Sequence, residues 1–216
     1  MDYASMFSEL LKGLLVSVEI FFLTLLFALP LGLLIAFGRM SKNCIVANIF
    51  RVYISIMRGT PLMLQLLVCF FGPYYLFKIP LASSYRFAAV IIAFSLNYAA
   101  YCAEIYRSGI QGIPAGQYEA AGVLGFTPVQ TFFRIIFPQV VKRVIPPVTN
   151  EVITLVKDTS LAFSLSVMEM FTMAKQIASA HTTMIPFVAA GVFYYVFNFL
   201  VAFGMERLEK RLDYYR

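Results

Sequence analysis

Glu151, Thr154 and Asp158 stand at positions i, i+3 and i+7, a spacing that puts two carboxylates and a hydroxyl on one face of a helix. They fall within an apolar run, where a charged side chain near a bilayer centre costs about 3 kcal/mol, so each must face a partner or a wet cavity. On a transport path such a face attracts cations and can receive an ammonium or guanidinium group. As a packing feature it requires only that Asp158 pair with Lys157 or another helix, and that Glu151 lie near the cytoplasmic interface. Lys157 is offset by one residue and points elsewhere.

Other chemistries find little support. No GxxxxGK[ST] occurs, so the chain cannot cradle ATP phosphates by that route. The single histidine, His181, has no HExxH or carboxylate spacing around it and reads as a surface residue. Ser95 and Ser164 sit in apolar runs without GxSxG or an activating histidine, which removes the basis for a hydrolase. Cys44, Cys69 and Cys102 are too scattered for a disulfide framework or a metal cluster. Glu104 has Arg107 at i+3 for a local pair, Asn97 is suited to an interhelical hydrogen bond, and Glu19 is a weaker candidate for a pathway role.

The elements that carry these residues are membrane spans. Of 216 residues, 61% are hydrophobic and 13% charged, with a mean hydropathy of +0.81, more apolar surface than a soluble domain of this length needs. Long Leu, Phe, Ile and Ala runs without even alternation predict helices rather than a barrel, in a single domain over 1–216. The acidic start MDYASMFSEL lacks a signal's positive region and leads into a retained first span.

Five spans are expected: Leu14 to Phe37 with a kink at Pro30, Thr60 to Leu76, Phe87 to Ile105, Val148 to Met168, and Ile185 to Met205. Residues 41–61 read as a linker, Thr60-Pro61 as a helix start, and Pro146-Pro147 as a break before the fourth span. Twelve Lys and Arg fall on one side, with Arg39, Arg107, Lys142, Arg211 and Arg216 among them; Lys12, Lys78, Arg86 and Lys175 fall on the other. This asymmetry predicts an outside N-terminus and a cytoplasmic C-terminus, and it accounts for the net charge of +6 without nucleic acid.

Between spans three and four lies a polar, glycine-punctuated stretch, 112–138, on the cytoplasmic side. Glu119, Ala120 and Ala121 predict a short helix, Gly122 and Gly125 allow a bend or a close approach, and Thr127-Pro128 supplies a new helix start. This helix-turn-helix suits docking into a cleft of a soluble partner, although composition alone leaves an ordinary connector open.

The stretch follows the pattern EAA, three residues, Gly, nine residues, Ile, one residue, Leu-Pro: here Glu119-Ala120-Ala121, Gly125, Ile135 and Phe137-Pro138, with Phe in place of Leu. It resembles the signature loop of the permease subunits of bacterial ABC importers. Arg58 to Leu66 (RGTPLMLQL), Asn97 to Ile110 (NYAAYCAEIYRSGI) and Leu155 to Ala162 (LVKDTSLA) are similar to the polar amino-acid branch of that family. The resemblance implies an inner-membrane protein paired with a second identical or similar permease, two cytoplasmic ATPase subunits that bind ATP and Mg, and an extracytoplasmic substrate-binding protein. No cofactor would bind this chain. The loop would be a coupling helix, with Glu119 pairing to a basic residue of the ATPase or capping locally, Ala120 and Ala121 permitting close docking, and Gly125 supplying the bend. Glu151 and Asp158 would contact an amino acid, and Arg58 through Gln65 would serve structure and gating. The competing class is an autonomous secondary transporter or channel with Glu151 and Asp158 as ion or proton sites; the absence of internal repeats argues against it.

Overall fold

The computed structural model describes residues 2–212, and among these every regular element is a helix. Arg216, counted above among the cytoplasmic charges, lies outside the described residues. In chain order the α-helices are α1 (Tyr3–Arg39), α2 (Cys44–Gly59), α3 (Leu62–Phe77), α4 (Tyr85–Gln111), α5 (Ala115–Val123), α6 (Pro128–Thr131), α7 (Phe137–Asp158), α8 (Met170–His181) and α9 (Ile185–Leu212). A π-helical segment, Phe132–Ile136, joins α6 to α7, and a 3-10 segment, Thr159–Leu165, continues α7.

Three of these helices, α1, α4 and α9, are long and apolar enough to cross a membrane, and α2 with α3 forms a fourth apolar element bent by 112°. The expected linker at 41–61 is therefore mostly the helix α2. Its one buried residue is Ile54, and with Arg51 and Arg58 along it the sequence gives no spanning signal. Thr60 ends α2, and Pro61 caps α3, so the bend falls where a single helix start was expected. The fourth expected span, 148–168, is not one α-helix. α7 begins earlier and runs through Pro146 and Pro147, then tightens into the 3-10 segment at Thr159 and stops at Ser166, whose φ is 55°. Proline removes an amide donor without forbidding helical φ, so two adjacent prolines here lie inside the helix instead of breaking it. α1 likewise passes through Pro30 without interruption.

Polar side chains explain the bend between α2 and α3. A helix end leaves carbonyls without partners, which is costly in an apolar setting. The Gln65 amide donates to the Met57 carbonyl at 2.9 Å and to the Thr60 hydroxyl at 2.8 Å. Asn97 of α4 donates to the same Met57 carbonyl at 3.0 Å and to the Gln65 side-chain oxygen at 2.9 Å. The expected interhelical role of Asn97 is thus met, and the RGTPLMLQL stretch is a satisfied corner.

α4 is the most buried of the long helices. It packs on α1 through small residues: Ala28 and Ala36 of α1, and Ala99, Ala100 and Ala103 of α4, are fully buried. At Gly32 the backbones come so close that an added Cβ would stand 2.7 Å from the Cβ of Cys102 and 3.1 Å from the Ala99 carbonyl oxygen. Close approach through small residues is how helices associate where no hydrophobic effect drives them together.

A second polar anchor was not anticipated. Glu169, fully buried, caps α8 by accepting from the Phe171 and Thr172 amides at 2.7 Å each, and the Tyr194 hydroxyl of α9 donates to it at 3.0 Å. His181 is the last residue of α8 and is exposed, as expected for a surface histidine.

The close crossing generates a test. Alanine is about 1 kcal/mol better than glycine inside a helix, yet Gly32→Ala is expected to lower the melting temperature of the purified protein by a few degrees because Cys102 cannot withdraw. Gly191→Ala in α9, where an added Cβ meets nothing within 4 Å, should not lower it. Equal melting of both variants would contradict the packing account.

Candidate transport path and docking loop

α4 and α7 run side by side, and the seam between them carries the predicted carboxylates. At one end Gly109 of α4 packs against Val144 of α7. At the other, the Tyr98 hydroxyl donates to the Asp158 carboxylate at 2.7 Å. Between them lies a cleft of about 340 Å³ whose walls include Arg58, Tyr101, Glu104, Arg107, Pro147 and Glu151.

The three predicted site residues are placed differently. Glu151 is half-buried on the cleft wall and has neither a hydrogen bond nor an ion pair among the described residues. Asp158 lies seven residues further along α7 and is engaged by Tyr98, so its partner is another helix rather than Lys157. Thr154 is exposed and returns its hydroxyl to the Asn150 carbonyl at 2.9 Å, a bond internal to α7. A carboxylate held by a phenol can exchange that donor for an incoming ammonium group, and an unpaired one nearby can receive the same group next. Glu104 and Arg107 form the expected local pair at 2.6 Å. Glu19 is exposed on α1 without a partner among the described residues.

Tyr98 and Arg58 were not singled out as cargo residues from sequence. The signal for Tyr98 was its place beside Asn97 on a polar face of α4. For Arg58, the guanidinium carbon lies 5.1 Å from the Tyr101 ring centroid.

The candidate docking loop is built as its residues dictate. α5 ends at Val123, and Gly125 takes φ of 78°, a left-handed conformation that glycine adopts without penalty. The Phe126 amide then reaches back to the Ala121 carbonyl at 3.0 Å. Thr127 caps α6 in a reciprocal box with Gln130: the Gln130 amide donates to the Thr127 hydroxyl at 3.3 Å, and the Thr127 amide to the Gln130 side chain at 2.9 Å. Arg143 also donates to the Gly112 carbonyl and so ties the loop's start to α7.

Glu119, Ala120 and Gly122 are exposed, whereas Ala121 is 1% exposed and packs inward. Ala121 therefore seats α5 on its own chain, leaving Ala120 as the small outward residue. The sequence reading also missed the apolar surface: Val123 is 89% exposed, Leu124 73%, Val129 67% and Phe133 63%. Contiguous exposed apolar side chains on a loop mark an interaction surface.

Comparison with known proteins places this geometry in a family. The description "binding-protein-dependent transport system inner membrane component" matches residues 28–214. The chain is similar to the L-cystine transport system permease protein TcyB of Bacillus subtilis, 38% identical over 94% of this chain and 86% of that protein. It is also similar to the nopaline transport system permease protein NocM of Agrobacterium fabrum, 36% identical over 91% and 84% respectively. Among solved structures, an amino acid ABC transporter crystallised with histidines matches with a TM-score of 0.87 and 29% identity, covering 98% of this chain and 99% of that one. The MetNI methionine ABC transporter, at 18% identity and a TM-score of 0.77, shares the fold. The family match over most of the chain, together with relatives above one-third identity, shows that this chain belongs to the inner-membrane components of binding-protein-dependent transport systems, as a permease subunit rather than an enzyme.

Proposed function

We propose that the chain is one of a pair of permease subunits in an ATP-driven importer of a polar amino acid or cystine, and that the cargo passes along the α4–α7 seam. The observation that carries this reading is the pair of carboxylates on that seam, one engaged by a phenol and the other unpaired beside a cleft. Every amino acid carries an α-ammonium group, so Asp158 and then Glu151 form two successive stations for it, with Thr154 on the adjoining face of α7. The relatives named for cystine and nopaline transport, and the neighbour crystallised with histidines, support an amino-acid cargo.

In this reading the chain crosses the inner membrane five times, through α1, α3, α4, α7 with its 3-10 continuation, and α9. The N-terminus lies outside and the C-terminus inside, a reading supported by the Lys and Arg distribution. The second permease is identical or similar. An extracytoplasmic binding protein delivers the cargo, and two cytoplasmic ATPase subunits hold ATP and Mg.

The 112–138 loop is the coupling element. Val123, Leu124 and Val129 enter an apolar groove of the ATPase, Glu119 pairs with a basic residue at its rim, Ala120 and Gly122 let the surfaces approach, and Gly125 fixes the turn. Ala121 contributes from within by seating α5.

Two outcomes are expected with the complete complex in proteoliposomes. Asp158→Asn and Glu151→Gln should each reduce ATP-driven uptake about tenfold or more while the complex still assembles; unchanged uptake in both removes the proposed stations. Gly125→Pro and Glu119→Lys should abolish transport-coupled ATP hydrolysis, or release the ATPase from the membrane, with the helices still inserted. Normal ATP-driven uptake in both would remove the coupling role.

A further inference from the structure

Two opposite charges in the α4–α7 cleft, Arg58 and Glu151, attract one another across it but lack the direct contacts that their neighbours have. Glu104 and Arg107 neutralise one another at 2.6 Å, and Arg143 is spent on the Gly112 carbonyl. Arg58, in the last turn of α2, faces the Tyr101 ring at 5.1 Å and has no carboxylate within salt-bridge distance among the described residues. Glu151, on the same cleft, has no hydrogen bond or salt bridge there either.

A guanidinium over an aromatic face is steadied through its π surface, while its N–H donors lie in its own plane and stay available to an acceptor at its edge. Such a fork matches a carboxylate with two parallel hydrogen bonds. A cleft of about 340 Å³ whose cation and anion attract across it without touching is complementary to a zwitterion that can bridge them. An amine alone would satisfy Glu151 and leave Arg58 unpaired; a simple carboxylate would do the reverse.

Resting on the amino-acid reading above, we infer that Arg58 is a specificity-determining residue that binds the cargo's α-carboxylate while Glu151 holds its cationic group. The Tyr101 ring presents the guanidinium to the cleft and so positions it. The cleft thereby becomes a zwitterion station between Asp158 and the Gly109 end of the seam. It adds selection against decarboxylated amines to whatever the binding protein selects.

The test uses the permease–ATPase complex in nanodiscs without the binding protein, so that only the permease's own selectivity is read. Equilibrium binding of L-arginine, L-cystine and L-glutamine is measured, and each is compared with its decarboxylated counterpart: agmatine, cystamine and 4-aminobutanamide. In the wild type the preferred amino acid should bind about tenfold or more tightly than its amine. Arg58→Gln should remove that preference by weakening the amino acid about tenfold without weakening the amine. Arg58→Lys, which keeps the charge but loses the planar fork, should fall between them.

Arg58 also lies at a helix C-terminus, where a cation is stabilising in its own right. If that is its whole role, Arg58→Gln will weaken amino acid and amine alike, or neither, and each of those results overturns the inference. Loss of amino-acid binding in Glu151→Gln with none in Arg58→Gln overturns the Arg58 assignment and leaves the amino-acid path standing. Failure of the wild-type complex to bind any of the three amino acids overturns both.

Discussion

The Tyr98–Asp158 hydrogen bond is the interaction on which the arrangement of the chain depends. A carboxylate inside an apolar bundle needs a donor, because in a low-dielectric setting an unpaired charge costs far more than in water. The donor available is the hydroxyl of Tyr98, 2.7 Å away on α4, and satisfying it places α7 against α4. The residue before it, Asn97, closes the α2–α3 corner through Met57 and Gln65. Further along, Ala99 and Cys102 receive Gly32 of α1. Six consecutive residues of α4 therefore fix four other helices, which explains why this helix is largely buried although it carries polar groups.

The proposed path and the proposed docking loop are joined by α7 and the helical turns on either side of it. From Pro128 the chain is helical without a break to Leu165, through α6, the π-helical segment, α7 and the 3-10 segment. The capped start at Thr127 and the positive φ of Gly125 define one end, and the cleft and its carboxylates lie along the length. On the proposed coupling role, a displacement at the exposed Val123–Leu124 surface passes through the Gly125 turn into this continuous helix, and α7 moving against α4 would change the distance between Asp158 and Tyr98. In the proposed cycle this is how ATPase closure reaches the cargo, by opening or closing one seam.

Much of this was legible in the residues. Gly125, Thr127 and Pro128 are local signals, and each does what its backbone preference dictates. Glu104 and Arg107 are helical neighbours and needed no tertiary information. What could not be read depended on contacts between distant segments. Nine residues of α5 do not reveal which alanine turns inward, because that is decided by the packing of Ala121 on its own chain. α2 is too short and too charged to register as a span, and its helicity shows only beside the corner that Gln65 and Asn97 complete. Glu169 gave no signal of its own, because its role as a buried cap needs Tyr194, 25 residues away in sequence. Pro146 and Pro147 were read as punctuation, yet α7 tolerates both.

The central claim is that the α4–α7 seam is a cargo path whose access the ATPase cycle regulates. Site-specific labelling tests it most directly: Cys44, Cys69 and Cys102 are replaced, Glu151→Cys is introduced, and the assembled complex is exposed from the cytoplasmic side to a cationic thiol reagent. The account predicts rapid labelling of residue 151 without nucleotide and strong protection when non-hydrolysable ATP closes the ATPase pair. Labelling that is absent in both states, or equal in both, would contradict it.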